Sequence, residues 1–152
     1  MDWAFEIGRK LDLSISTIHI AVLYMDCMLE KNDVSKNNYY LIAAACLHVA
    51  AKFDELDSKI PPIPELLLAA IMKLPTARID DLKECDNTIL HTLAWNLKIL
   101  TPLVFVETLL TQGILHTSDK IEDKYPVSIY TAKVVSQRAL KFADIALGCK
   151  YQ

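Results

Sequence analysis

The stretch YYLIAAACLHVAAKFDE, Tyr39 to Glu55, narrows the folds open to this chain more than any other. From Tyr39 to Ala51 it holds no Asp, Glu, Lys or Arg, and its larger apolar residues Leu41, Ile42, Leu47 and Val49 are spread around the helical turn rather than along one stripe. A helix apolar on all sides is surrounded by other helices. Ala43, Ala44, Ala45, Ala50 and Ala51 have high helix propensity and no bulk, which lets neighbours pack close to the axis. The segment is therefore expected to be the central rod of a helical bundle. Its last turn changes to Lys52, Phe53, Asp54 and Glu55. Acids at a helix C-terminus oppose the macrodipole by roughly 0.3–1 kcal/mol each when exposed, so Asp54 and Glu55 are expected to serve something outside the helix.

A chain of 152 residues can bury a core without staples. Cys27, Cys46, Cys85 and Cys149 form no C-x-x-C pair, which speaks against a zinc site, a redox dithiol or a disulfide framework. A reducing compartment follows, and the protein is expected in the nucleus, the cytoplasm or both. The longest uncharged run falls short of the roughly 20 residues of a membrane span, so no membrane association is expected. A net charge of −3 without basic clusters gives no footprint for nucleic acid. Few glycines and no alternating pattern indicate an all-α protein.

Ahead of the rod, Trp3, Ile7 and Leu11 share one face of a first helix that lacks an N-cap, so an upstream turn is expected before Met1. Ser14 or Ser16 can cap a second helix bearing Ile15, Ile18, Val22, Met25 and Leu29, which Asn32 and Asp33 end; Ser35 can cap the rod. The segment KIPPIPEL forms a stiff turn, and a fourth helix is expected from Pro64 to about Lys73. A fifth is expected over Ala77–Ala94, with the stripe Ile79, Leu82, Ile89, Leu90, Leu93 and Leu97 interrupted by Asp86. A lone buried carboxylate is costly, so Asp86 must meet a cation, collect hydrogen bonds or face a partner. Lys52 is one counter-ion; a local pair with Lys83 is the other. Thr101-Pro102 then opens a sixth helix that Gly113 stops, residues 116–125 read as a polar loop, and Pro126 opens a last helix ended by Gly148. The methionines at 25, 28 and 72 read as core filler.

This layout resembles the cyclin fold, a five-helix box repeated twice. MDWAFEIG is similar to the V-D-W-L-x-E-V of the family's first box helix, IHIAVLYMDCML to its L-H-L-A-V-x-Y-x-D-x-x-L second helix, and AAACLHVAAKFDE to its A-x-x-x-L-x-x-A-S-K-x-E-E third. LAWNL stands where cyclins end their fifth helix, and TPLVFVETLL resembles the start of their second box. Within the family, DELDSKIP and KFADIAL look most similar to the J-type branch. The resemblance implies an all-α cyclin box over residues 1–98 and the first two helices of a second, incomplete box over 99–152.

It further implies a regulatory subunit, not an enzyme, that binds and activates a cyclin-dependent Ser/Thr protein kinase in cell-cycle control. Kinase-facing positions would be Lys52, Phe53, Glu55, Asp86, Leu90, Trp95 and Leu97. Asp86 departs from the usual glutamate and is shorter by about one C–C bond, ~1.5 Å. The family's docking patch for Arg-x-Leu peptides is matched only by Trp3 and Glu6, with Tyr40 where glutamine is frequent. The alternative is a non-kinase adaptor that uses the box as a protein-docking platform; a DNA-binding box is disfavoured by the acidic pI. No cofactor, metal or small-molecule substrate is expected. His19, His48, His91 and His116 lack ligand spacing, with His48 and His91 read as packed core-edge residues, and Asp80 and Asp81 read as solvated first-turn acids.

Overall fold

A computed structural model of the chain describes residues 2–31, 34, 38–112, 120–121, 125–126 and 128–148. The chain divides into two compact units, Met1–Ile99 and Leu100–Gln152. The first holds helices α1 (Asp2–Lys10), α2 (Ile15–Lys31), α3 (Tyr39–Asp54), α4 (Ile63–Ala69) and α5 (Ile79–Thr92), with a 3-10 turn at Asp57–Lys59.

The uncharged segment is the rod of this unit: α3 packs against α1, α2, α4 and α5, and every residue from Ala43 to Ala51 is buried. The alanines give the neighbours room near the axis, while Leu47 fills the space they leave. Helix α2 is buried around more than the one expected stripe, because α1, α3 and α5 all contact it. At Gly8, α1 lies close against Ile18 of α2. A Cβ there would stand 2.6 Å from Ile18 Cγ1 and 2.7 Å from its Cδ1, and Ile18 is fully buried with nowhere to swing.

Ser14, rather than Ser16, caps α2, its Oγ accepting from Thr17 N at 3.1 Å. The acidic end of α3 then finds its purpose. Ser14 N donates to Glu55 Oε1, and Thr17 Oγ1 lies 3.0 Å from Asp54 Oδ2 and 2.8 Å from Glu55 Oε1. Acids that oppose the dipole of their own helix thus sit at the positive end of α2, where carboxylates are favoured. Burial alone would raise the pKa of Glu55, but hydrogen bonds from Ser14 and Thr17, with Lys59 nearby, hold it below the usual carboxylate range. A folded-state pKa below the unfolded value contributes stability that is present above the unfolded pKa and lost as pH falls through the folded one. Glu55→Gln is therefore expected to cost about 1 kcal/mol at neutral pH and to flatten the acid limb of the stability curve, as read from urea midpoints at neutral and acidic pH.

Several helix boundaries differ from expectation. Helix α4 begins at Ile63, with Pro64 in its first turn, and stops at Ala69 instead of about Lys73. Buried Ala70 ends the turn with its N–H on Leu66 O, so Met72 falls beyond the helix and is 87% exposed, whereas Met25 and Met28 lie in the core as expected. Helix α5 starts later than expected, at Ile79, where Arg78 N donates to Asp81 Oδ2 at 2.8 Å and so makes that acid a cap.

In the second unit α6 (Pro102–Thr111) packs on α7 (Ile129–Gly148). Thr101 Oγ1 accepts from Val104 N at 3.2 Å, the expected cap followed by proline. Strands β1 (Lys120–Ile121) and β2 (Tyr125–Pro126) pair antiparallel, Lys120 opposite Pro126. Pro126 therefore belongs to a short ribbon and does not open α7; Ser128 does, its Oγ accepting from Thr131 N at 3.1 Å. The expected roles of Asn32, Asp33, Ser35 and Gly113, and the residues His116 and Cys149, lie outside the described residues. Among the described residues no helix is long and apolar enough to cross a membrane.

Candidate functional site

His48 and Lys52 lie one turn apart on α3, at the i,i+4 spacing that puts two side chains on one face. That face meets α5 at Asp86, the acid that interrupts its apolar stripe. Asp86 Oδ2 is 2.7 Å from His48 Nδ1 and 3.1 Å from Lys52 Nζ. Asp86 is 5% exposed and His48 3%, while the Lys52 side chain is 53% exposed. The local alternative is not formed, since Lys83 Nζ instead lies 3.8 Å from exposed Asp80. An ionised carboxylate only accepts, so the proton between His48 and Asp86 belongs to Nδ1. Asp86 Oδ1 is buried and receives no hydrogen bond from the described residues.

Beside this triad lies a depression of about 220 Å³ lined by Val49, Lys52, Phe53, Asp86, Leu90, Trp95 and Leu97. Six of the residues singled out from the sequence are thereby brought together; the seventh, Glu55, spends its carboxylate on the start of α2. Phe53 is 46% and Trp95 65% exposed, so the depression has apolar rims around a charged floor.

The Trp95 wall is held from several sides. Just past α5 stand two left-handed residues that are not glycine, Ala94 (φ 49°) and Trp95 (φ 60°), with Trp95 N on Leu90 O at 2.9 Å. From α2, Lys31 Nζ donates to Thr92 O at 3.1 Å, and fully buried Tyr24 donates its hydroxyl to Leu97 O at 2.6 Å. Burial first, then Asp54 and Cys46, pushes the Tyr24 phenol well up, so it stays a donor. Left-handed backbone costs an L-residue roughly 1 kcal/mol or more. Ala94→Gly is accordingly expected to raise stability by about 0.5–1 kcal/mol, measured as a higher denaturant midpoint with an unchanged slope.

Elsewhere Trp3 and Tyr40 are brought together edge-on, ring centroids 5.1 Å apart, with Lys73 Nζ 5.3 Å from the Tyr40 centroid. Glu6 is paired instead with Lys10 at 2.8 Å on the exposed side of α1. Cys46 is buried and its thiol is pushed up chiefly by burial, as is that of half-buried Cys85. Among the described residues no three His, Cys, Asp or Glu side chains gather as a metal site.

His48 was missed as part of the site. Its signal was the spacing to Lys52: once α3 is turned so that Lys52 reaches α5, His48 must reach it too, one turn earlier. Lone histidines on an otherwise apolar rod read as packed residues until a buried acid is known to face them.

Residues 1–98 match the family described as cyclin, N-terminal domain. The chain belongs to the cyclin family. It is similar to Cyclin-D of Ostreococcus tauri, 29% identical over 80% of this chain and 32% of that protein. It is also similar to Cyclin-J of Homo sapiens, 25% identical over 94% of this chain and 40% of that protein. S-phase entry cyclin-5 of Saccharomyces cerevisiae is 27% identical over 91% of this chain and 29% of that protein. The chain thus spans roughly 30–40% of the length of the curated relatives it matches.

Proposed function

We propose that this chain is a regulatory subunit that binds and activates a cyclin-dependent Ser/Thr protein kinase in cell-cycle control, working in the nucleus, the cytoplasm or both. The observation that carries the reading is the depression in which Lys52 and Asp86 lie among Phe53, Leu90, Trp95 and Leu97. Exposed aromatic side chains beside a half-exposed cation and a buried acid make a surface suited to anchoring another protein. The membership of the cyclin family and the cell-cycle names of its relatives favour a kinase as that protein.

A kinase transfers phosphate only when its catalytic lysine, the glutamate of its mobile helix and its Mg²⁺-binding aspartate are aligned. A surface that binds the aligned form better than the misaligned one shifts the population toward it; going from 1:99 to 99:1 takes about 5.5 kcal/mol of differential affinity. That demand suits a rigid platform. The site rests on a rod buried from Ala43 to Ala51, and its end is tied down by Glu55 to Ser14 and Thr17. In this reading Glu55 supports the surface instead of touching the kinase.

The test is reconstitution of the chain with purified cyclin-dependent kinase catalytic subunits, followed by complex formation and phosphoryl transfer to a Ser/Thr peptide. A stoichiometric complex with a raised transfer rate supports the proposal. A complex without a rate change would support binding but defeat activation, and no complex with any kinase would defeat the reading and favour the non-kinase adaptor.

A further inference from the structure

We propose that the groove between the first turn of α3 and the outer side of α5 is a protein-docking site in its own right. It takes an extended polypeptide segment that carries a lysine or arginine close to a large apolar side chain. The groove shares no lining residue with the depression at Lys52 and Trp95, and Trp3, Glu6 and Tyr40 do not line it either. It therefore stands whether or not the kinase reading does.

The groove follows from how α5 is turned. Its stripe Leu82, Asp86 and Ile89 is buried against the box, whereas Asp81, Cys85 and Thr88, each one residue earlier, face an opening of about 530 Å³. Ligand pockets typically enclose roughly 300–1,000 Å³. Across from α5 stand Leu41 and Ile42 of α3, and Met28 of α2, only 2% exposed, closes the bottom. Leu41, Ile42 and Cys85 are half-buried. Burial first, then the negative charges of Asp86, Glu84 and Asp81, pushes the Cys85 thiol up, so it stays uncharged and belongs to the apolar floor.

The rim carries charge of one sign. Asp81 and Glu84 stand on it, and among the described residues no lysine or arginine lines the groove. The two acids are not equivalent. Asp81 accepts from Arg78 N at 2.8 Å and has the Arg78 guanidinium 3.5 Å from its other oxygen. Lys83 is turned away to Asp80. Glu84 is exposed and forms no ion pair among the described residues, so its charge is the one left for a partner. Asn38 completes the rim. It precedes α3 without capping it through its side chain, which leaves an amide that both donates and accepts.

Together these elements select the occupant. The floor takes an apolar side chain, Glu84 takes a cation beside it, and the Asn38 amide matches the N–H and C=O of a main chain. Nucleic acid and acidic membranes are repelled by the same carboxylates.

The test pans random decapeptides displayed on phage against the purified chain, then measures labelled synthetic copies of the enriched peptides by fluorescence polarisation. Thr88→Trp puts a ring into the groove from an exposed position, and Glu84→Lys reverses the free charge. Far-UV circular dichroism checks that each variant keeps its helix content, and Glu84→Gln stands in should the reversal not fold. Peptides whose binding is lost in Thr88→Trp are expected to carry Lys or Arg within about three residues of Leu, Ile, Met or Phe, a span of roughly 10 Å in extended chain. They are expected to bind Glu84→Lys about tenfold more weakly than wild type, Glu84→Gln about threefold more weakly, and wild type itself more weakly as salt is raised. The proposal is overturned if no enriched peptide depends on Thr88, if those that do lack a basic residue, or if both Glu84 variants bind them as wild type does.

Discussion

Leu47→Ala is expected to lower the stability of the first unit by about 3–5 kcal/mol, toward the upper part of the range for a buried leucine. Leu47 is fully buried on the rod and flanked by Ala43, Ala44, Ala45, Ala50 and Ala51, all buried as well. How much a truncation costs depends on how far the surroundings can close over the hole. Here they can close little. The neighbours of Leu47 along the rod have no side chain to lean inward, and α1 already approaches α2 so closely at Gly8 that one added carbon would collide with Ile18. The volume lost therefore stays as a cavity. Thermal unfolding should show a midpoint lower by about 15 °C or more for a unit of this size. A fall of only a few degrees would mean that the helices do slide together, and that the rod is not the rigid support assigned to it.

The second large effect is on association. Asp86→Ala is expected to weaken kinase binding by about 3 kcal/mol, roughly a hundredfold, and Lys52→Ala by about tenfold. The order follows from burial. Asp86 is almost completely withdrawn from water and gathers both His48 and Lys52, so its removal leaves a buried ring nitrogen unpaired and scatters the lysine. Lys52 is half exposed, and part of what it loses is returned by solvent. Neither change should unfold the chain. Removing Asp86 leaves His48 Nδ1 buried without its partner, offset in part by the loss of an oxygen buried without a hydrogen bond from the described residues, so stability is expected to fall by about 1–3 kcal/mol. Titration of both variants against the kinase, beside their unfolding curves, separates the two quantities. Binding by Asp86→Ala within threefold of wild type would remove this surface from the interface.

Much of the box was legible because its physics is local or periodic. An uncharged rod rich in alanine has one use in a small helical protein, and the acid at position 86 stood out because the 3.6-residue period placed it among leucines and isoleucines. Caps were legible where a hydroxyl precedes a helix, as at Ser14 and Thr101. Helix ends were less so. Whether the fourth helix runs to Lys73 or stops at Ala69 depends on Ala70 meeting the core, and no pattern within the segment records that. Likewise Pro126 is as suited to a strand as to a first helical turn, and its pairing with Lys120 decided the matter.

The amino-acid sequence by itself determined that the chain is helical, that Tyr39–Asp54 lies at its centre, and that Asp86 needs a partner, because helix period and the cost of a buried charge act within one segment. Only the tertiary structure decided who that partner is: His48 together with Lys52, both on one oxygen, with the other left over. It also decided that Asp54 and Glu55 close the start of α2, since the dipole they oppose is their own and the one they satisfy belongs to the first turn of the preceding helix, remote along the chain. Hydrogen bonds between segments depend on how helices are turned about their axes, and that rotation is set by the packing of the whole box.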